Sequence, residues 1–189
     1  ANLPGAVLNA KQMRGVVFKD YPYPSTAELR FIASQGANII RFPFLWERLQ
    51  PVANGPFDKA ELARLKSAVN NASAQNLCVL LDVHNYAKYY SYKLTDTLPD
   101  GSTVSSAFVA FWVALAAEFP DPTTTAFGLM NEPASVHLVD WAVIAKQTLA
   151  ALRASNSTNL GIVSGGRCSR VHDWLAGLEF SNSPEFVCL

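Results

Sequence analysis

Four short apolar runs in this chain end in the same way, and the shared ending limits the folds open to it. Asn38-Ile39-Ile40-Arg41-Phe42-Pro43 and Leu77-Cys78-Val79-Leu80-Leu81-Asp82-Val83-His84-Asn85-Tyr86 are two of them; Phe127-Gly128-Leu129-Met130-Asn131-Glu132-Pro133 and Leu160-Gly161-Ile162-Val163-Ser164-Gly165-Gly166 are the others. Each passes from apolar residues into polar residues, a proline or a glycine pair. A short apolar run bounded by turn signals fits a strand covered on both faces. Pro133 cannot continue a central strand because it has no backbone N–H to give. Between the runs, helices are legible. Ser25-Thr26-Ala27-Glu28 is a capping box for a helix running toward Gly36. Asp58-Lys59-Ala60-Glu61 opens a second, with Leu62, Leu65, Ala68 and Val69 on one stripe. A third is expected over 104–119 and a fourth over 138–153. Strand and helix in alternation predict an α/β fold: a parallel sheet with crossover helices.

In α/β barrels the chemistry sits at the carboxyl ends of the strands, where these runs place Arg41, Asp82, His84, Asn85, Asn131 and Glu132. A carboxyl group beside an amide that can hold a sugar hydroxyl suits a general acid for glycosidic bond cleavage. The plainer alternative is that Asn131-Glu132-Pro133 only makes a turn. A lone histidine is commonly structural and a lone arginine commonly a surface charge. Here each takes the same place in its own strand, which favours the functional reading. The stretch 85–101 reads as an irregular loop rich in tyrosine (Tyr86, Tyr89, Tyr90, Tyr92), and long loops on this side of a barrel usually serve substrate binding.

Three motifs, Arg-Phe-Pro-Phe-Leu-Trp-Glu-Arg-Leu-Gln-Pro over 41–51, Leu-Asp-Val-His-Asn-Tyr over 81–86 and Gly-Leu-Met-Asn-Glu-Pro over 128–133, closely resemble glycoside hydrolase family 5. The branch most resembled is its endo-β-1,4-glucanases, and the likeness extends from about Met13 to Trp174. It implies a TIM-barrel-like (β/α) fold and a retaining hydrolase acting on β-1,4-glucan or cello-oligosaccharides. By the motif match Glu132 is the acid/base and Asn131 the neighbour that binds the sugar 2-hydroxyl. Arg41 and His84 are active-site residues of strands two and three, and Asn85 and Tyr86 join them as substrate-binding residues.

The family also carries a His-Tyr pair on strand six, a nucleophilic Glu on strand seven and a Trp platform after strand eight, and none of these motifs is present. After Glu132 the glutamates are Glu179 and Glu185. Neither has the family's surroundings; Glu185 stands slightly ahead as a nucleophile candidate because its segment is placed to fold back over an open edge. Where the family often shows an aromatic and Gly-Ala-His-x-Trp, this chain has Cys168-Ser169-Arg170-Val171-His172-Asp173-Trp174. A (β/α)8 barrel typically needs ~250 residues. The 189 residues are therefore expected to form one glycoside-hydrolase-like domain truncated to about five parallel strands, either the first part of a longer barrel or a short natural form.

Hydrophobic residues make up 50% of the chain and charged residues 16%, which places it among globular proteins. Fifteen acidic and fifteen basic residues give a net charge of zero, so nothing electrostatic favours nucleic acid or an anionic membrane. A neutral polysaccharide is compatible with that balance. No apolar stretch reaches the length of a membrane span. No signal peptide is visible, and the start at Ala1 suggests a processed N-terminus; the expectation is a secreted protein. Cys78 reads as a small buried hydrophobe, while Cys168 and Cys188 either bridge in a secreted protein or stay free. No spacing suggests a zinc site or a phosphate loop, so no metal or cofactor is expected.

The third helix is apolar nearly all round, with Val109 and Val113 outside the stripe of Phe108, Phe111, Trp112 and Leu115 and Glu118 its one charge. Either it packs on the sheet and both neighbours, or one face meets another chain. Five strands cannot close a barrel, so the edge strands should self-associate or be covered by the segments 1–11 or 178–189. Three functions stay open: an endoglucanase, a β-glucosidase acting on short oligosaccharides, and a degenerate member that binds carbohydrate without cutting it.

Overall fold

The computed structural model describes residues 1–3, 15–166 and the backbone of 186–188. Glu179, Glu185, His172, Trp174 and the Cys168–Cys188 pair lie outside the described side chains. In chain order the elements are α1 (Thr26–Ser34), β1 (Ile39–Phe44), α2 (Trp46–Leu49), α3 (Lys59–Ser73), β2 (Cys78–Val83), β3 (Lys88–Tyr89) and β4 (Tyr92–Lys93). Then follow α4 (Val104–Glu118), β5 (Thr125–Gly128), α5 (Leu138–Ala154), β6 (Gly161–Val163) and β7 (Phe186–Cys188).

Helices α1, α3 and α4 begin where a side chain can satisfy their first N–H groups. Ser25 Oγ accepts from Glu28 N at 3.2 Å while Glu28 Oε2 accepts from Ser25 N at 2.8 Å, a complete capping box. Asp58 Oδ1 takes Ala60 N and Glu61 N at 3.0 and 2.9 Å, and Thr103 Oγ1 takes Ser106 N at 3.2 Å to open α4. Past the end of α1, Gly36 adopts φ 83°, a conformation that costs glycine little.

One parallel sheet runs in the order β1-β2-β5-β6-β7, with the helices as crossovers, and β3 and β4 form a small antiparallel pair. The register sets Arg41 beside Leu80 and aligns Pro43, Asp82 and Gly128 in one row. Side chains alternate across a strand, so the sheet has two unlike faces. Phe42, Phe44, Val79, Leu81, Val83, Phe127 and Val163 turn into the helix-covered core. Leu80, Ala126 and Ile162 form a small separate cluster on the opposite face.

Three tryptophans, Trp46, Trp112 and Trp141, are fully buried in the core together with Phe108, Phe111 and Phe127. Trp112 Nε1 donates to Leu129 O at 3.3 Å and Trp141 Nε1 to Ser164 O at 2.8 Å, pinning α4 and α5 to the strand ends. The apolar surface of α4 is taken up in this packing. Its outer side is Ala110, Ala114 and Ala117, with Val109 and Val113 half-buried. At the opposite end of the sheet the buried Asn159 Nδ2 donates to Phe119 O, Thr125 O and Thr125 Oγ1 at 3.2, 3.0 and 2.9 Å.

Two expectations change, and a third takes one of its forms. β1 does not stop at Pro43 but runs to Phe44. Arg41 N donates outward to Ala1 O at 2.7 Å, so the missing N–H of Pro43, two residues on, also lies on the side away from β2, where a ladder donor is not required. The tyrosine-rich stretch is not wholly irregular, since β3 and β4 pair Lys88 with Lys93 and Tyr89 with Tyr92. The sheet's outer strands are flanked by terminal segments: Ala1–Leu3 bond to Ile39 and Arg41, and β7 pairs with β6. Among the described residues no helix is long and apolar enough to cross a membrane.

Candidate active site

The face opposite the core carries the polar ends. A cavity of about 320 Å³ lies there, lined by Arg41 from β1, Leu80 and Asp82 from β2, Gly128, Met130, Asn131 and Glu132 from and after β5, and Ile162 and Ser164 at β6. Period-two alternation brings most of these residues to one face: Leu80 and Asp82 on β2, Gly128 and Met130 at the end of β5, and Ile162 and Ser164 at β6 are each spaced by two. Gly128 is the smallest residue in its row, and a Cβ there would meet Asp82 Oδ1 at 3.0 Å. Its missing side chain is what lets Asp82 lie against the neighbouring strand.

Asp82 is buried and joins two of the expected residues. Its Oδ2 accepts from Arg41 Nη2 at 2.9 Å and faces His84 Nδ1 at 3.2 Å. The same Nη2 donates to Asn131 Oδ1. Arginine has only donors, so this contact assigns the amide oxygen of Asn131 to Arg41 and leaves its Nδ2 as the group to be satisfied elsewhere. Asn131 N continues the ladder by donating to Val83 O at 2.7 Å. Glu132 follows at φ 41°, a left-handed backbone for a non-glycine residue, with Ala134 N donating back to its carbonyl at 2.6 Å. This turn ends the strand and places the half-buried Glu132 side chain at the cavity. The segment Asn131-Glu132-Pro133 thus turns the chain and sets the Glu132 carboxyl group at the cavity.

His84 and Tyr86 stand beside the cavity rather than in its lining. Their rings meet edge to face at 5.4 Å. Tyr86 is 44% exposed; burial of the rest of it, and then the Glu132 carboxylate, push its hydroxyl pKa upward. Asn85 is placed differently from the expectation. It is buried, its Oδ1 accepts from Trp46 N at 2.9 Å and its Nδ2 donates to Glu47 Oε2 at 2.6 Å. Both ends of its amide are committed behind the site. The sequence places Asp82 at a strand end without a specific role and Ser164 in a strand-end run without one; both line the cavity. Their signal was the two-residue spacing from Leu80 and from Ile162. Ser164 Oγ also donates to Met130 O, tying β6 to the strand that carries Glu132.

A second cavity of about 810 Å³ lies between Lys93, Thr95 and Asp96 and the segment 134–140 that follows Glu132. Among the described residues no three His, Cys, Asp or Glu side chains gather as a metal-ligand set.

Comparison with known proteins shows the family and the fold. The Cellulase family (glycosyl hydrolase family 5) matches residues 2–185. Endo-β-1,4-glucanase B of Emericella nidulans is 31% identical over 176 residues, 90% of this chain and 50% of that protein. An endo-β-1,4-glucanase structure from Xanthomonas axonopodis pv. citri aligns with a TM-score of 0.86 and 40% identity, covering 93% of this chain and 54% of that one. XacCel5A, solved in complex with cellopentaose, aligns with a TM-score of 0.90 and 36% identity, covering 100% of this chain and 62% of that one. The chain spans about half the length of the curated relatives it matches.

Proposed function

This chain belongs to glycosyl hydrolase family 5, the cellulases, and from that premise we propose that it carries the acid/base carboxyl group of a retaining endo-β-1,4-glucanase. The observation that carries the reading is the constellation of Glu132, Asn131, Arg41 and Asp82 around one cavity at the strand ends. In this reading Glu132 protonates the leaving glycosidic oxygen, then removes a proton from the water that releases the glycosyl-enzyme. Asn131 Nδ2, turned from Arg41 by the assignment of its amide, donates to the sugar 2-hydroxyl as charge develops at the ring. His84 and Tyr86 hold the sugar from the rim. The named activities of the relatives and the cellopentaose bound by XacCel5A support β-1,4-glucan or cello-oligosaccharides as substrate.

Retention needs a second carboxylate about 5–5.5 Å from the first. Among the described residues the other carboxylate lining the cavity is Asp82, already engaged by Arg41 and His84, so it is a poor nucleophile. Glu185, ahead of Glu179, is the candidate within this chain. We read residues 1–189 as one glycoside-hydrolase-like domain, the first part of a longer barrel or a short natural form, and place it outside the cell, since an insoluble polymer must be met there. The engagement of Asp82 is also what favours the second reading, a member that binds carbohydrate without cleaving it.

Release of reducing sugar from barley β-glucan or carboxymethylcellulose, measured beside calorimetric titration with cellotetraose, tests both. Hydrolysis with internal cuts supports the endoglucanase; binding alone supports the second reading; neither overturns both. Release of glucose from cellobiose would mark a β-glucosidase instead. Labelling with a 2-deoxy-2-fluoro cellobioside and peptide mapping assigns the nucleophile, and an active protein labelled on neither Glu185 nor Glu179 removes both.

A further inference from the structure

Tyr86, Ala87 and Tyr90 have φ of 54°, 62° and 51°, so a five-residue stretch at the rim holds three non-glycine residues in the left-handed region. Such conformations persist where the surroundings over-determine them. The group placed to do so here is Glu47, in the short α2 turn, 2% exposed. Its Oε2 accepts from Asn85 Nδ2 at 2.6 Å and its Oε1 accepts from the backbone N of Tyr90. One carboxylate thus grips the chain on both sides of Tyr86-Ala87.

The hydrogen-bond polarity leaves little choice of residue at 47. Tyr90 N–H is only a donor. The Asn85 amide cannot turn over, because its Oδ1 is needed by Trp46 N–H at 2.9 Å. Both groups that face Glu47 are therefore donors, and only a side chain with two acceptor atoms satisfies them. A glutamine would aim an NH₂ group at one N–H or the other. Tyr89 OH and Tyr90 OH also reach Gln50 O and Pro51 O at 2.7 and 3.0 Å, but these hold ring ends, whereas Glu47 holds the backbone of Tyr90 and the residue preceding Tyr86.

We propose that Glu47 is a positioning residue: its carboxylate fixes the strained 85–90 segment and so presents the Tyr86 ring at the cavity rim for a sugar. The sugar contact rests on the function proposed above; the grip on the segment does not. Local order and ligand binding are therefore read separately. Hydrogen–deuterium exchange of peptides covering 84–93 should quicken about tenfold in Glu47→Gln, as expected for a buried donor losing its acceptor, with peptides from α3 and β2 unchanged. Cellotetraose binding should weaken about tenfold in Glu47→Gln and in Tyr86→Ala, and the double variant should be no weaker than the poorer single one, because both changes remove the same contact.

Unchanged exchange over 84–93 in folded Glu47→Gln overturns the proposal. So does additive loss in the double variant, or unaltered cellotetraose affinity in Glu47→Gln when Tyr86→Ala is impaired. A parent that binds no cellotetraose, with exchange quickened over 84–93 in the variant, keeps the grip and refutes the sugar role. Asn85→Ala, which keeps the carboxylate but removes one arm together with the acceptor for Trp46 N–H, gives the same readouts over 84–93 where Glu47→Gln does not fold.

Discussion

Arg41 Nη2 and Asp82 Oδ2 meet at 2.9 Å across the β1–β2 pair, 41 residues apart in sequence. The pair is unevenly buried, with the Arg41 side chain 30% exposed and that of Asp82 6%. Solvent therefore softens the loss when one partner is removed. Asp82→Ala should cost about 2 kcal/mol, below the range for a fully buried pair. Asp82→Asn should cost distinctly less, because its amide oxygen can still accept from both Arg41 and His84. Urea denaturation of the two variants measures the difference.

Glu132→Gln keeps the shape of the side chain but cannot deliver a proton. Hydrolysis of natural β-glucan should fall by about 10²–10⁴-fold with the melting temperature little changed. An aryl glycoside with a good leaving group needs little acid assistance and should be much less affected. Glucan hydrolysis within a factor of about two of the parent would remove Glu132 from the acid role.

Asn131→Ala should lower kcat more than it raises KM, since a 2-hydroxyl contact strengthens toward the transition state. It also removes the acceptor for Arg41, so a modest stability loss of about 1 kcal/mol is expected. Steady-state kinetics on cello-oligosaccharides separate the two parameters. A change confined to KM counts against the role.

Gly128→Ala tests the spacing of the lining row. The new methyl would stand 3.0 Å from Asp82 Oδ1 and 3.4 Å from Leu80 Cδ1. Displacing Asp82 should cost about 1–3 kcal/mol and weaken cellotetraose binding through Arg41 and Asn131. Denaturation and calorimetry read the two effects, and a variant as stable as the parent would show that Asp82 moves aside freely.

An alkaline limit to stability follows from Glu61. Tyr21 OH and Tyr23 OH both donate to its carboxylate at 2.8 Å. Burial first, then the bond to Glu61, pushes Tyr21 up to about 12, and Tyr23 is raised by burial and the Glu61 charge. A raised folded-state pKa gives stability that is complete below the ordinary tyrosine value near 10 and is lost as pH rises through the folded one. Stability should therefore decline from about pH 10 toward 12. Phenolate absorbance should show part of the six tyrosines titrating late, and Glu61→Gln should bring Tyr21 back toward 10.

Much of the sheet was legible because each strand couples an apolar run to a polar end, and that couple survives in sequence as a local pattern. The three helix starts capped by Ser25, Asp58 and Thr103 owe their positions to neighbours within three residues. Partners far apart in sequence were not legible. Asn85 reads like its neighbours His84 and Tyr86, yet its direction is fixed by Trp46 and Glu47, which precede it by nearly forty residues. Glu47 itself looks like any charge in a helical turn. Pro43 reads as a strand stop because the rule against proline applies to ladder donors, and which side of β1 carries the ladder is a tertiary fact. β3, β4 and β7 are too short to show a period.

The buried amide of Asn159 joins the end of α4, the start of β5 and the approach to β6 at the end of the sheet far from the cavity. That seam and the mouth share no side chain. Substitutions that reshape the rim, such as exchanging the exposed Tyr86 or Tyr90, can therefore accumulate without loosening the seam, and a lineage could alter its sugar preference while its foundation stays fixed.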